Sequence, residues 1–124
     1  MASSKTVKKT VLIVEDEPLL LMLAVDIVED AGFEAVTAMN ADAAIDILLN
    51  RPDIHIVFTD IDMPGSMDGL KLASAVRDRW PPIEIIITSG KSRPTGAEMP
   101  ARGHFFPKPY NADRVTEMLH RLAA

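Results

Sequence analysis

Glu15, Asp16, Asp60, Ser89 and Lys108 can do chemistry together, although they are spread over most of the chain. Each closes or follows a short apolar run: Glu15-Asp16 after VLIV, Asp60 after IVFT, Thr88-Ser89 after III, Lys108 after FFP. If these runs are parallel strands, their carboxyl ends meet in one crevice, where open parallel sheets bind ligands. Three carboxylates carry −3 and Lys108 returns +1, so one Mg²⁺ would bring the cluster to zero. Mg²⁺ takes oxygen ligands in octahedral geometry and keeps several waters, so two or three carboxylates suffice. Such a cation would neutralise an incoming phosphoryl group, and aspartate is a known nucleophile toward phosphorus.

Singly, each residue has a plainer reading. Glu15, Asp16 and Glu17 could favour a helix N-terminus, Asp60 and Asp62 could close Asx-turns, and Lys108 could be a solvated surface lysine. Thr88 rivals Ser89 if the strand register slips by one, because a slip turns every side chain to the other face. The coincidence of all of them at strand ends, with complementary charge, favours a phosphoryl site.

The elements that must position them follow from periodicity. Apolar runs at Val11–Val14, Ala35–Ala38, Ile54–Phe58, Ile83–Ile87 and His104–Phe106 predict five strands. Their few interior charges suit a parallel sheet covered on both faces, and Glu84 is expected at a strand start. A helix opens at Asp16 and Pro18, with Leu20, Leu23, Ile27 and Val28 on one face and a stop at Gly32. Another follows Asn40, and a third carries Leu72, Ala73, Val76 and Trp80 before Pro81-Pro82. The last follows Asn111 and places Val115, Met118, Leu119 and Leu122 at helical spacing. Between Gly90 and Gly103, Pro94, Gly96 and Pro100 leave room only for a short or irregular helix.

Composition narrows the classes. A chain of 124 residues fits one domain, and its net charge of −5 disfavours direct nucleic-acid binding. No cysteine is present, which removes disulfides and thiolate sites. The longest apolar stretch, Leu19 to Val25, is far below the roughly 20 residues of a membrane span. No signal-peptide pattern follows the lysines of MASSKTVKKT, so a cytoplasmic protein is expected. No phosphate-binding glycine motif supports a nucleotide. His55, His104 and His120 lack ligand-like spacing, and the seven methionines read as packing.

With VLIVEDE at 11–17, FTDIDMPGSMDG at 58–69, ITSG at 87–90 and FFPKPY at 105–110, the chain resembles the response-regulator receiver family, of the CheY-like kind, from Thr10 to Leu122. The resemblance implies a flavodoxin-like (βα)5 fold with sheet order 2-1-3-4-5, a flexible tail at 1–9 and a stand-alone receiver domain at 10–124. No output domain fits within the chain. It implies that Glu15 and Asp16 bind Mg²⁺ with Asp60, the phosphoacceptor, and with the backbone carbonyl of Asp62. Ser89 corresponds to the switch hydroxyl and Gly90 to the small residue after it. Lys108 corresponds to the lysine that pairs with a phosphoryl oxygen, Pro109 to the proline of a cis peptide, and Phe105 to the aromatic that swings inward on activation.

The departures from the family pattern are Glu15 in place of the commoner aspartate, an extra loop residue at Ser66, a shortened Ser89-to-Lys108 stretch and phenylalanine rather than tyrosine at 105. The implied function is a signalling switch, not an enzyme acting on a separate substrate. It would take phosphate from a histidine kinase or histidine phosphotransfer protein and act on an unidentified downstream protein, as a monomer or a phosphorylation-dependent dimer. Two alternatives carry other functions. Asp60-Ile61-Asp62 superficially matches the DxD of haloacid-dehalogenase-like phosphatases, but on the third strand and without a cap domain. The other is a degenerate receiver that only docks.

Overall fold

The computed structural model describes residues 8–63, 67–91 and 93–124. Of the expected tail only Lys8 and Lys9 fall within that range; the Pro64-Gly65 turn and the extra residue Ser66 lie outside the described residues. Five strands, β1 (Thr10–Val14), β2 (Glu34–Ala38), β3 (Ile54–Asp60), β4 (Glu84–Ser89) and β5 (Gly103–Pro107), form one parallel sheet in the order β2-β1-β3-β4-β5. Among the described residues four helices, α1 (Pro18–Asp30), α2 (Ala41–Asn50), α3 (Gly69–Arg79) and α4 (Ala112–Ala123), accompany the sheet.

The central strands are buried along their whole length, as their unbroken Val/Ile runs require between two helical layers. Alternation sorts their side chains into two cores. Leu12, Val14, Val57, Ile85 and Ile87 meet α2 and α3, whereas Val11, Ile13, Ile56, Phe58 and Ile86 meet α1 and α4. The register aligns the strand ends: Val14 lies beside Thr59, Asp60 beside Thr88, and Ser89 beside Pro107. The residues that follow therefore emerge at one edge.

Local chemistry sets most helix starts. Asn40, Asp68 and Asn111 are N-caps whose side chains accept from the N–H groups of Ala43, Lys71 and Arg114. Pro18 occupies the first turn of α1, and Gly32 takes a positive φ of 97° just beyond its end. The apolar face expected for α1 is rotated. Ala24 and Val28 are the buried positions, while Leu23 points outward and Leu20 is half-buried. Apolar residues surround much of this helix, so periodicity does not single out the packing face, and small Ala24 and stiff Val28 permit the closest approach to the sheet.

The irregular segment between β4 and β5 holds no helix among the described residues. A single turn stands there instead: Met99 N–H donates to the Thr95 carbonyl at 3.2 Å. Thr95 N–H donates to Glu98 Oε1 at 2.8 Å, while Glu98 N–H donates to Thr95 Oγ1 at 3.3 Å. This is a reciprocal capping box, and Pro100 follows too soon for the turn to propagate. Arg77 from α3 fastens the segment by donating to the Ala101 carbonyl at 2.7 Å. Glu84 begins β4 and faces Arg102 at 3.7 Å. Trp80 caps α3 against the α2/α3 core, with the Arg79 guanidinium 4.7 Å over its ring.

Candidate functional site

The strand ends bring the acidic, hydroxyl and ammonium groups together. Glu15 and Asp60 are only 5% and 3% exposed, and ligand oxygens of Glu15, Asp16 and Asp60 lie within 4.8 Å of one another. Lys108 Nζ reaches Glu15 Oε1 at 2.9 Å and Asp60 Oδ2 at 3.2 Å. Backbone amides add to this, since Glu17 N–H donates to Glu15 Oε2 and Asp62 N–H to Asp60 Oδ1, each at 3.2 Å. Lys108 directly follows β5, and the Lys108–Pro109 peptide is cis. Its own N–H donates to the Ser89 carbonyl at 2.9 Å.

The electrostatics follow from this packing. Burial pushes the Glu15 and Asp60 carboxyls above their ordinary range, with Lys108 and the neighbouring amides opposing it. Burial alone would lower the Lys108 ammonium, but its bonds to Glu15 and Asp60 hold it above its usual value. Tyr110 is raised by burial and by the nearby Glu15 carboxylate. Like-charged carboxylates packed this closely leave an unbalanced negative pocket that Lys108 only partly offsets. Its donors are all hard oxygens, the set that suits Mg²⁺, so the residues present fit that ion.

Ser89 and Thr88 separate as alternation requires. Ser89 Oγ donates to Asp62 Oδ2 at 2.7 Å and accepts from Lys91 N–H at 3.2 Å. Thr88 instead lines a small space beside Ala24, Phe58 and Tyr110, and its buried hydroxyl has no partner among the described residues. Thr88→Val is therefore expected to raise stability by about 1 kcal/mol, because it removes an unsatisfied buried hydroxyl at nearly constant volume. A higher urea midpoint at unchanged slope would show this; a lower midpoint would mean the hydroxyl is satisfied.

Phe105 is half-buried against the α2/α3 core, with the Arg93 guanidinium 5.3 Å over its ring. A Cβ at Gly90 would lie 3.7 Å from the Lys108 side chain. The Asp62 carboxylate engages Ser89, a contact additional to the carbonyl role that the resemblance implies. Gly69 was not anticipated at all. A Cβ there would lie 1.9 Å from the Asp60 carbonyl oxygen, and the Gly69 N–H donates to the Ile61 carbonyl at 3.1 Å. The Asp-Gly pair before an apolar helical run was the available signal, through Asp68 as N-cap. The histidines take no part in the acidic group. Among the described residues, no helix is long and apolar enough to cross a membrane.

The family model for the response regulator receiver domain matches residues 11–120. The nitrogen assimilation regulatory protein NtrX of Azorhizobium caulinodans is 37% identical over 116 residues, covering 90% of this chain and 25% of that protein. The chain thus spans about a quarter of the length of the curated relatives it matches. A response regulator receiver protein from Sinorhizobium medicae superposes with a TM-score of 0.87 at 25% identity, over 93% of this chain and 94% of that one. The response regulator TrrA from Thermotoga maritima, solved in complex with Mg²⁺ and BeF, superposes with a TM-score of 0.79 at 26% identity, over 92% and 98% of the two chains.

Proposed function

This chain belongs to the response-regulator receiver family, and from that premise we propose that it is a two-component signalling switch whose Asp60 accepts a phosphoryl group. The observation that carries the reading is the pairing of a buried Asp60 with Lys108 at 3.2 Å, inside a group of three carboxylates. A Asp60 carboxylate oxygen attacks phosphorus, and the bond to the donor's leaving group breaks. Burial raises the Asp60 carboxyl, and the Asp62 amide and Lys108 oppose that rise, favouring the ionised nucleophile. Once transfer occurs, the ammonium can follow the new phosphoryl oxygens, and Ser89 can donate to another. Glu15, Asp16 and Asp60, with the Asp62 carbonyl, would hold Mg²⁺, which supplies positive charge to the transferring group. TrrA, with its bound Mg²⁺ and BeF, supports the same use of the site here. The chain would promote only its own phosphorylation and dephosphorylation, in the cytoplasm.

Incubation with acetyl phosphate and Mg²⁺ should add one phosphoryl mass to the intact protein, and chelation should prevent it. Absence of any adduct, together with no beryllofluoride complex, would refute the reading.

The donor is a histidine kinase or a histidine phosphotransfer protein, and α1 offers it a seat. Leu19, Met22 and Leu23 are 72%, 63% and 56% exposed. Leu23 also lines a groove with Leu20, Ile27, Pro109 and Tyr110 that runs to Lys108. The continuity of this apolar groove with the phosphoacceptor crevice favours the donor over a downstream target. Leu23→Asp should slow transfer from a phosphohistidine domain roughly tenfold or more, the scale of losing a buried apolar contact. Labelling by acetyl phosphate should be unaltered. Equal slowing with both donors would count against α1 as the seat.

A further inference from the structure

The Ser89 hydroxyl has one proton to give, and in this structure Asp62 receives it. The bond is short, 2.7 Å, and its acceptor is a carboxylate, the stronger class of hydrogen bond. Ser89 is 3% exposed, so little solvent stands ready to replace that acceptor. The oxygen is engaged as well, since Lys91 N–H donates to it. A phosphoryl oxygen on Asp60 can receive the Ser89 proton only if Asp62 gives it up. Asp62 also senses Asp60 directly, through the 3.2 Å bond from its own N–H to Asp60 Oδ1.

We propose that the Asp62 carboxylate is a latch on the switch hydroxyl, holding Ser89 in its resting position and setting how strongly a phosphoryl group must pull to release it. This rests on the reading of Asp60 as phosphoacceptor. The exchange breaks no covalent bond: the Ser89 O–H turns from Asp62 Oδ2 to a phosphoryl oxygen. Asp62 is thus a positioning residue, acting through Ser89. Because it biases a two-state equilibrium, its removal should raise the population of the released state before any phosphate arrives.

The test is a beryllofluoride titration with Mg²⁺, followed by amide NMR at Lys91 and Phe105, on the wild type, Asp62→Ala, Asp62→Asn, Ser89→Ala and the Ser89→Ala/Asp62→Ala pair. Asp62→Ala should lower the midpoint about tenfold, the lower end of what a hydrogen bond to a charged group is worth. Asp62→Asn keeps an oxygen that can accept the proton, so its shift should be clearly smaller. In the Ser89→Ala background, Asp62→Ala should shift the midpoint no further. In the free protein without Mg²⁺, the Lys91 amide of Asp62→Ala should already move toward its beryllofluoride-bound position. Asp62→Ser, too short to reach Ser89, replaces the alanine variant if that one unfolds.

Equal shifts in the alanine and asparagine variants, persisting without the Ser89 hydroxyl, would assign the effect to charge and overturn the latch. No shift in any Asp62 variant would overturn it too, while leaving the phosphoacceptor reading intact. A wild type that fails to bind beryllofluoride would overturn both.

Discussion

Asp60→Asn is expected to take up no phosphoryl group from acetyl phosphate or from a phosphohistidine donor, while folding at least as well as the wild type. The loss is complete because the amide is isosteric with the carboxylate but lacks its nucleophilic charge. The gain in stability follows from burial, which holds the folded carboxyl above its ordinary value. A carboxyl raised on folding stabilises the fold while it is protonated, and that contribution is lost as pH rises through the unfolded and then the folded pKa. At neutral pH the charge of Asp60 therefore weighs against the fold, and asparagine removes it. In chelator, the stability difference between variant and wild type should grow from about pH 4 toward neutrality, that range following from the ordinary carboxylate values. Stoichiometric labelling of the variant would reject Asp60 as acceptor. A variant less stable at every pH would show that the bond to Lys108 outweighs the burial of charge.

Gly69→Ala should do more damage than alanine at any other described glycine. Its Cβ would lie 1.9 Å from the Asp60 carbonyl oxygen and 2.7 Å from both Asp60 C and Ile61 Cα. All three are backbone atoms at the end of the strand that carries the phosphoacceptor, so no rotamer change relieves the clash. Either α3 lifts from β3 or Asp60 is displaced, and a loss of more than about 4 kcal/mol is expected, the range reserved for forced core or backbone strain. Urea unfolding and phosphoryl labelling should both fail or fall sharply. Gly96→Ala is the control, because nothing lies within 4 Å of a Cβ there. A Gly69→Ala protein with near-normal stability would mean that α3 can shift freely over the strand end.

The sheet was legible because buried parallel strands leave uninterrupted apolar runs, and its helices largely because Asn40, Asn111 and Pro18 mark their starts. The strand ends then placed Glu15, Asp16, Asp60, Ser89 and Lys108 together without reference to their contacts. Four features stayed hidden, each for a physical reason. The packing face of α1 was ambiguous because the helix is apolar on two sides. The turn at Thr95 was masked by the prolines around it, although Thr95 and Glu98 have capping-box spacing. The bond from Ser89 to Asp62 joins residues far apart in sequence, and the requirement for glycine at 69 arises from a backbone that crosses it. Periodicity reports which side of an element is buried and carries no information about such crossings.

The sorting of β4 side chains has a consequence for traffic at the crevice. Thr88 turns toward the α1 side and Ser89 toward the α2/α3 side, where Phe105 also packs. A donor seated on α1 thus leaves the Ser89–Phe105 side uncovered, and a target gripping that side leaves the loading groove open. On the proposed function, loading and read-out would therefore use opposite faces of the sheet, and neither partner would have to leave before the other docks.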